Sequence, residues 1–101
     1  KTVAEVQEQL SRADLPPRIL VDCSHANSGK DPLRQPEVLA DVVAQRAAGD
    51  ISLRGVMLES HLFDGCQALS GELRYGVSIT DGCLGWEATE QALLAAADRL
   101  R

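Results

Sequence analysis

The sequence predicts an α/β fold, about two parallel strands with three flanking helices. Three observations carry that expectation. The run Val21-Asp22-Cys23-Ser24-His25-Ala26-Asn27-Ser28-Gly29-Lys30 passes from apolar, partly β-branched residues into a polar cluster, and Gly55-Val56-Met57-Leu58-Glu59-Ser60-His61 repeats that order. Between the two runs lies a stretch of helical rather than alternating periodicity, which makes a strand-helix-strand unit with a right-handed crossover. In parallel α/β architectures chemistry gathers at the carboxyl ends of strands, so His25 and Glu59, both able to bind a metal, should face one shared mouth.

The elements follow in order. Thr2 with Glu5 three residues on is a capping-box signature, and Val3, Val6 and Leu10 share one helical face, so a first helix should end near Leu15. Pro16-Pro17 forces an extended lead into Arg18–Asp22, whose nearly continuous apolar character suits a strand covered on both faces. Pro36 can occupy a first helical turn, Leu39, Val42, Val43 and Ala47 supply a buried stripe, and Gly49 is placed to terminate, giving a second helix over about 36–48. Gly55–Glu59 is the second strand. Residues 60–85 contain Gly65, Gly71, Gly76, Gly82 and Gly85, too many turn formers for a regular element, and their polar residues favour a loop covering a site. From Trp86 onwards Leu93, Ala97 and Leu100 stand in helical register, so a last helix should pack on the outside of the sheet.

Composition narrows the function. Fifteen acidic against ten basic residues, interspersed, give a net charge of −5, whereas a nucleic-acid footprint requires a basic stripe. Only Phe63, Tyr75 and Trp86 are aromatic, too few to argue for base stacking. There is no run of transmembrane length, so neither nucleic acid nor membrane is an expected partner. Cys23, Cys66 and Cys83 are odd in number and form no Cys-x-x-Cys pair, which points to reduced thiols.

Three longer blocks carry a resemblance. Asp22-Cys23-Ser24-His25-Ala26-Asn27-Ser28, Gly55-Val56-Met57-Leu58-Glu59-Ser60-His61-Leu62 and Ser78-Ile79-Thr80-Asp81-Gly82-Cys83-Leu84-Gly85-Trp86 resemble class I 3-deoxy-D-arabino-heptulosonate 7-phosphate (DAHP) synthase, and the similarity runs through essentially the whole chain. The resemblance implies a (β/α)8 barrel whose carboxyl-terminal strands these are. It also implies an enzyme that condenses phosphoenolpyruvate with erythrose 4-phosphate at the opening of the shikimate pathway. Against the roughly 250 residues of such a barrel, 101 residues are expected to form an incomplete C-terminal part of a single catalytic domain, inactive alone. Unpaired strand edges should then be completed by other strands or by copies of the chain, and a homo-oligomer is expected. The start at Lys1-Thr2-Val3, without Met or an apolar signal segment, fits a piece of a cytoplasmic enzyme.

By the same resemblance a divalent metal is held by His25, Glu59 and Asp81. Phosphoenolpyruvate is a weak carbon nucleophile, and a Lewis acid makes the aldehyde electrophilic enough to be attacked. A mixed N/O donor set suits Mn²⁺, Fe²⁺ or Co²⁺, with Zn²⁺ also accommodated. Outside the resemblance, His25 would read as a hydrogen-bonded structural imidazole, Glu59 as half of a salt bridge and Asp81 as a turn residue before Gly82. His61, two residues after Glu59, is a candidate for support of the ligands or for substrate contact. The family's further cysteine ligand comes from an early strand that this chain lacks. Cys23 reads better as a small buried hydrophobe than as its substitute, and Cys66 and Cys83 as thiols without a ligand role. No Gly-rich phosphate loop is present, and Lys30 and Arg34 read as solvated loop charges. The competing readings are the related 3-deoxy-D-manno-octulosonate 8-phosphate synthase, whose motifs fit less well, and a non-catalytic, self-associating barrel fragment.

Overall fold

The computed structural model describes residues 2–101. α1 (Val3–Arg12) starts at the capping box that the sequence predicts: the Thr2 hydroxyl accepts the Glu5 N–H and the Glu5 carboxylate accepts the Thr2 N–H. It stops three residues short of Leu15. Ala13 caps it and Asp14 takes φ of +57°, a left-handed value that ends a helix outright.

β1 (Ile19–Asp22) and β2 (Leu53–Met57) pair in parallel, with Leu20 opposite Gly55, Val21 opposite Val56 and Asp22 opposite Met57. The second strand thus lies two residues earlier than the sequence suggests. Its last ladder bond, from the Cys23 N–H to the Met57 carbonyl at 2.9 Å, leaves Leu58 and Glu59 beyond the sheet proper. β1 is also not covered on both faces, since Leu20 is 67% exposed.

Between the strands run two short 3₁₀ turns, Ala26–Ser28 and Pro32–Arg34, and then α2 (Gln35–Ala47). Leu39, Val42 and Val43 of α2 are buried as expected, whereas Ala47 faces solvent. Gly49, just past the helix, takes φ of +116°, which few side-chain-bearing residues adopt. α3 (Trp86–Leu100) packs on α2. The stripe it buries is Thr89, Ala92 and Ala96, while Leu93 and Leu100 remain about half exposed, so small residues rather than the leucines set the approach of the two helices.

The segment 60–85 is irregular but not loose. Isolated bridges pair Ser60 with Leu84, Gly65 with Cys83 and Cys66 with Ser78. The Gln67 side chain staples it internally, its amide donating to the Arg74 and Val77 carbonyls and its oxygen accepting the Arg74 N–H. Gly76 is obligatory there: φ is +77°, and an added Cβ would lie 2.8 Å from the Phe63 ring.

The core is thin. Among the described residues the buried apolar set is Cys23, Leu39, Val42, Val43, Leu53, Val77 and Leu84. The Cα radius of gyration is 15.7 Å and the extents are 50 × 31 × 17 Å, against about 13 Å for a closed domain of this length. The molecule is a slab one sheet and one helix layer deep.

Candidate metal centre

The structure brings His25, Glu59 and Asp81 together, each offering one donor atom, with all three atoms within 4.8 Å of one another. His25 Nε2 lies 3.0 Å from Glu59 Oε1 and 3.4 Å from Asp81 Oδ2. His25 and Glu59 are half-buried and Asp81 is exposed, so the trio opens to solvent on one side.

Hydrogen bonds around His25 and Asp81 aim these two side chains. β1 ends at Asp22, whose Oδ1 accepts the Ser24 N–H at 2.8 Å and the Ser24 hydroxyl at 2.6 Å, folding the chain back so that His25 leaves the strand direction. Asp22 Oδ2 then accepts from His25 Nδ1 at 2.7 Å. A carboxylate only accepts, so Nδ1 carries a proton and Nε2 is the atom presented to the mouth. Asp81 sits on an arch pinned at both feet, by the Gln67 N–H on the Ser78 carbonyl and by the paired Gly65 and Cys83 backbones. The arch passes against the Pro32 ring, where Gly82 has no room for a larger residue without displacing it.

The electrostatics match. Hydrogen bonds from Ser24, and with them the one from His25, hold the Asp22 carboxyl far below the usual carboxylate range. The hydrogen bond and charge of Asp22, aided by Glu59 and Asp81, raise His25 above its ordinary value. Three carboxylates therefore converge on one imidazole, two of them at Nε2, where a cation would sit. Metal-donor distances of about 2.0–2.2 Å put donors within roughly 4.4 Å of each other, so the observed cluster fits a small divalent ion after slight contraction.

The other candidates sort clearly. Cys23 is 0% exposed, packs with Leu39 and Val43, and has its thiol pushed up to about 11, mainly by burial, which is the behaviour of an inert core residue. Cys66 is exposed, and the Cys83 thiol turns to the Asp81 carbonyl at 3.6 Å. His61 is exposed, and its Nδ1 accepts the Leu62 N–H at 2.8 Å. Among the described residues no hydrogen bond or ion pair joins it to His25, Glu59 or Asp81. Asp22 is the residue that sequence reasoning missed. A carboxylate three positions before a histidine, across a strand end with an intervening serine, was the available signal.

Residues 1–94 match the model of the DAHP synthetase I family. The Phe-sensitive phospho-2-dehydro-3-deoxyheptonate aldolase of Escherichia coli K12 is 50% identical over 103 residues, covering 100% of this chain and 29% of that protein. The tyrosine-inhibited aldolase of the same name from Schizosaccharomyces pombe is 46% identical over 105 residues, covering 98% of this chain and 28% of its own length. The structure of phospho-2-dehydro-3-deoxyheptonate aldolase from Francisella tularensis SCHU S4 superposes with a TM-score of 0.90 at 37% identity, over 97% of this chain and 29% of that one. The chain spans under a third of the length of these relatives, and by the match of nearly its whole length it belongs to the DAHP synthetase I family.

Proposed function

We propose that the chain forms the C-terminal part of a (β/α)8 barrel and supplies three ligands, His25, Glu59 and Asp81, of a divalent metal centre. In the complete barrel that centre serves the condensation of phosphoenolpyruvate, erythrose 4-phosphate and water to DAHP and phosphate. The convergence of three carboxylates on the one imidazole carries this reading. The names of the relatives favour a heptulosonate over an octulosonate product.

A divalent ion held by His25, Glu59 and Asp81 would supply Lewis acidity toward the aldehyde of erythrose 4-phosphate, the partner that the methylene carbon of phosphoenolpyruvate must attack. The residues of this chain have narrower tasks. Asp22 fixes the His25 tautomer and its ring plane, and Glu59 and Asp81 supply negative charge from a strand end and from the covering arch. His61 is read as a substrate contact, since it leans on backbone rather than on a ligand. Mn²⁺, Fe²⁺ and Co²⁺ suit the donor set best, and Zn²⁺ fits it as well.

The thin core and the bare outer edge of β1 support completion of the sheet by other strands, or in isolation by copies of this chain. Light scattering of the 101-residue chain distinguishes a monomer from such an assembly. The reading of the site is tested in the complete enzyme by Glu59→Ala. Bound Mn²⁺ and phosphate release from phosphoenolpyruvate in the presence of erythrose 4-phosphate should both fall by more than about 100-fold, beyond what loss of a supporting residue costs. Unchanged metal content and turnover would sink it. No helix of the described residues is long and apolar enough to cross a membrane.

A further inference from the structure

Gln35 opens α2 and is 0% exposed. A glutamine amide has two donors and an acceptor oxygen, and sealing it in the interior is unfavourable unless they are used. Here one donor and the oxygen are used, both on one residue. Gln35 Oε1 accepts the Glu59 N–H at 2.9 Å, and Gln35 Nε2 donates to the Glu59 carbonyl at 3.0 Å. The same carbonyl accepts the Leu84 N–H at 2.9 Å.

The location makes the contact consequential. The β1-β2 ladder ends at Met57, so the backbone of Glu59 lies past the reach of β1. The Gln35 amide replaces the missing strand, presenting an acceptor and a donor to the N–H and C=O of a single residue as a neighbouring strand would. Gln35 also stands at the end of the connection that carries His25. Within that connection Ser28 bonds back to the Ser24 carbonyl and Asp31 caps the Leu33 N–H, making one braced unit from His25 to Gln35. Local hydrogen bonds thus run from His25 to Gln35, and Gln35 in turn holds the backbone of Glu59, whose Oε1 lies 3.0 Å from His25 Nε2.

We propose that Gln35 is a positioning residue of the metal site, holding the backbone of Glu59 in register with His25 so that both donors meet one ion. The proposal rests on the metal reading above and adds to it a residue that touches neither metal nor substrate. Sites of this kind tolerate misplacement of only about 0.5 Å. An apolar side chain of similar length would fill the volume and leave the Glu59 N–H without its acceptor.

The test compares Gln35→Met, Gln35→Glu and Glu59→Ala in the complete enzyme, each titrated with Mn²⁺ alone while free Mn²⁺ is followed by electron paramagnetic resonance. Gln35→Met should keep a cooperative thermal transition and bind Mn²⁺ about 10- to 100-fold more weakly, the range for residues that orient ligands. Gln35→Glu, which keeps an acceptor for the Glu59 N–H and sets a charge against its carbonyl, should fall between Gln35→Met and the parent. If both Gln35 variants bind as tightly as the parent while Glu59→Ala does not, Gln35 serves the fold alone and the proposal is wrong. If Glu59→Ala also binds as tightly as the parent, the metal reading itself has failed. Where neither Gln35 variant folds, hydrogen exchange of the unaltered enzyme decides: protection of the Glu59 amide must rise on adding Mn²⁺, and equal protection with and without it overturns the proposal.

Discussion

At the carboxyl ends of β1 and β2 the side chains brace one another, Asp22 on Ser24 and His25, His25 against Glu59 and Asp81. Along the body of the same strands Leu53 is buried, but several apolar side chains lack cover. Leu20 is 67% exposed and Met57 39%, and Ile51, just before β2, is 70% exposed. The mouth is therefore furnished by this segment from within, and the wall is not. Geometry at the mouth depends on short, mostly local hydrogen bonds, whereas burial of the wall depends on neighbours that these residues do not provide. Metal affinity and stability should accordingly answer to different substitutions.

The largest of the effects that bear on this contrast is expected at Asp22, which is not itself a ligand. Asp22→Asn keeps an acceptor near His25 Nδ1 but removes the charge that orients the ring and makes Nε2 more basic. In the complete enzyme Mn²⁺ affinity should fall by about 10- to 100-fold with little change in the unfolding transition. Equal affinity in the two proteins, measured by the same titration, would break the contrast between mouth and wall, because the bracing would then have no functional consequence.

A smaller effect comes from protons. Metal and proton compete for His25 Nε2, and the histidine is raised above its ordinary value, chiefly by Asp22. Above that raised value Nε2 is free and affinity should be flat with pH; below it each ion bound must displace a proton, so affinity should fall by about tenfold per pH unit. Asp22→Asn lowers the histidine toward the unperturbed range, so the onset of the fall should move to lower pH. An onset that stays in place would show that Glu59 and Asp81, rather than Asp22, control the imidazole.

What could be read from the sequence follows the same division. The capping box at Thr2 and Glu5, the helix behind Pro36 and the helix from Trp86 were legible because their signals are local. So was the meeting of His25, Glu59 and Asp81, through motifs that resemble a known family. The frame of β2 was not, since Leu58 and Glu59 look like strand, yet the ladder ends at Met57 and Glu59 pairs with Gln35 and Leu84 instead. Gln35 had no sequence signature, because its partner lies 24 residues away and a glutamine near a helix start is usually solvated. The order within 60–85 was hidden for a related reason. Its pairings join residues 12 to 24 apart through glycine-rich chain, which carries no periodicity to read.

The smallest expected effect probes the wall. Leu20 faces Gly55 across the sheet, with its Cγ 3.5 Å from where a Cβ would stand, yet most of its surface is open. In the 101-residue chain as a monomer, Leu20→Ala removes little buried surface and should shift stability by no more than about 0.5 kcal/mol in urea unfolding. In the complete enzyme, where further strands would cover that position, the same substitution should cost about 2–5 kcal/mol, the range for truncating a buried leucine. The difference between the two measurements reads how far other strands finish the wall. Equal, small losses would mean that Leu20 faces solvent in the whole barrel too, and the completion argument would fail. A loss of about 2 kcal/mol or more in the isolated chain, growing with its concentration, would instead show that a second copy has taken the place of the absent strands.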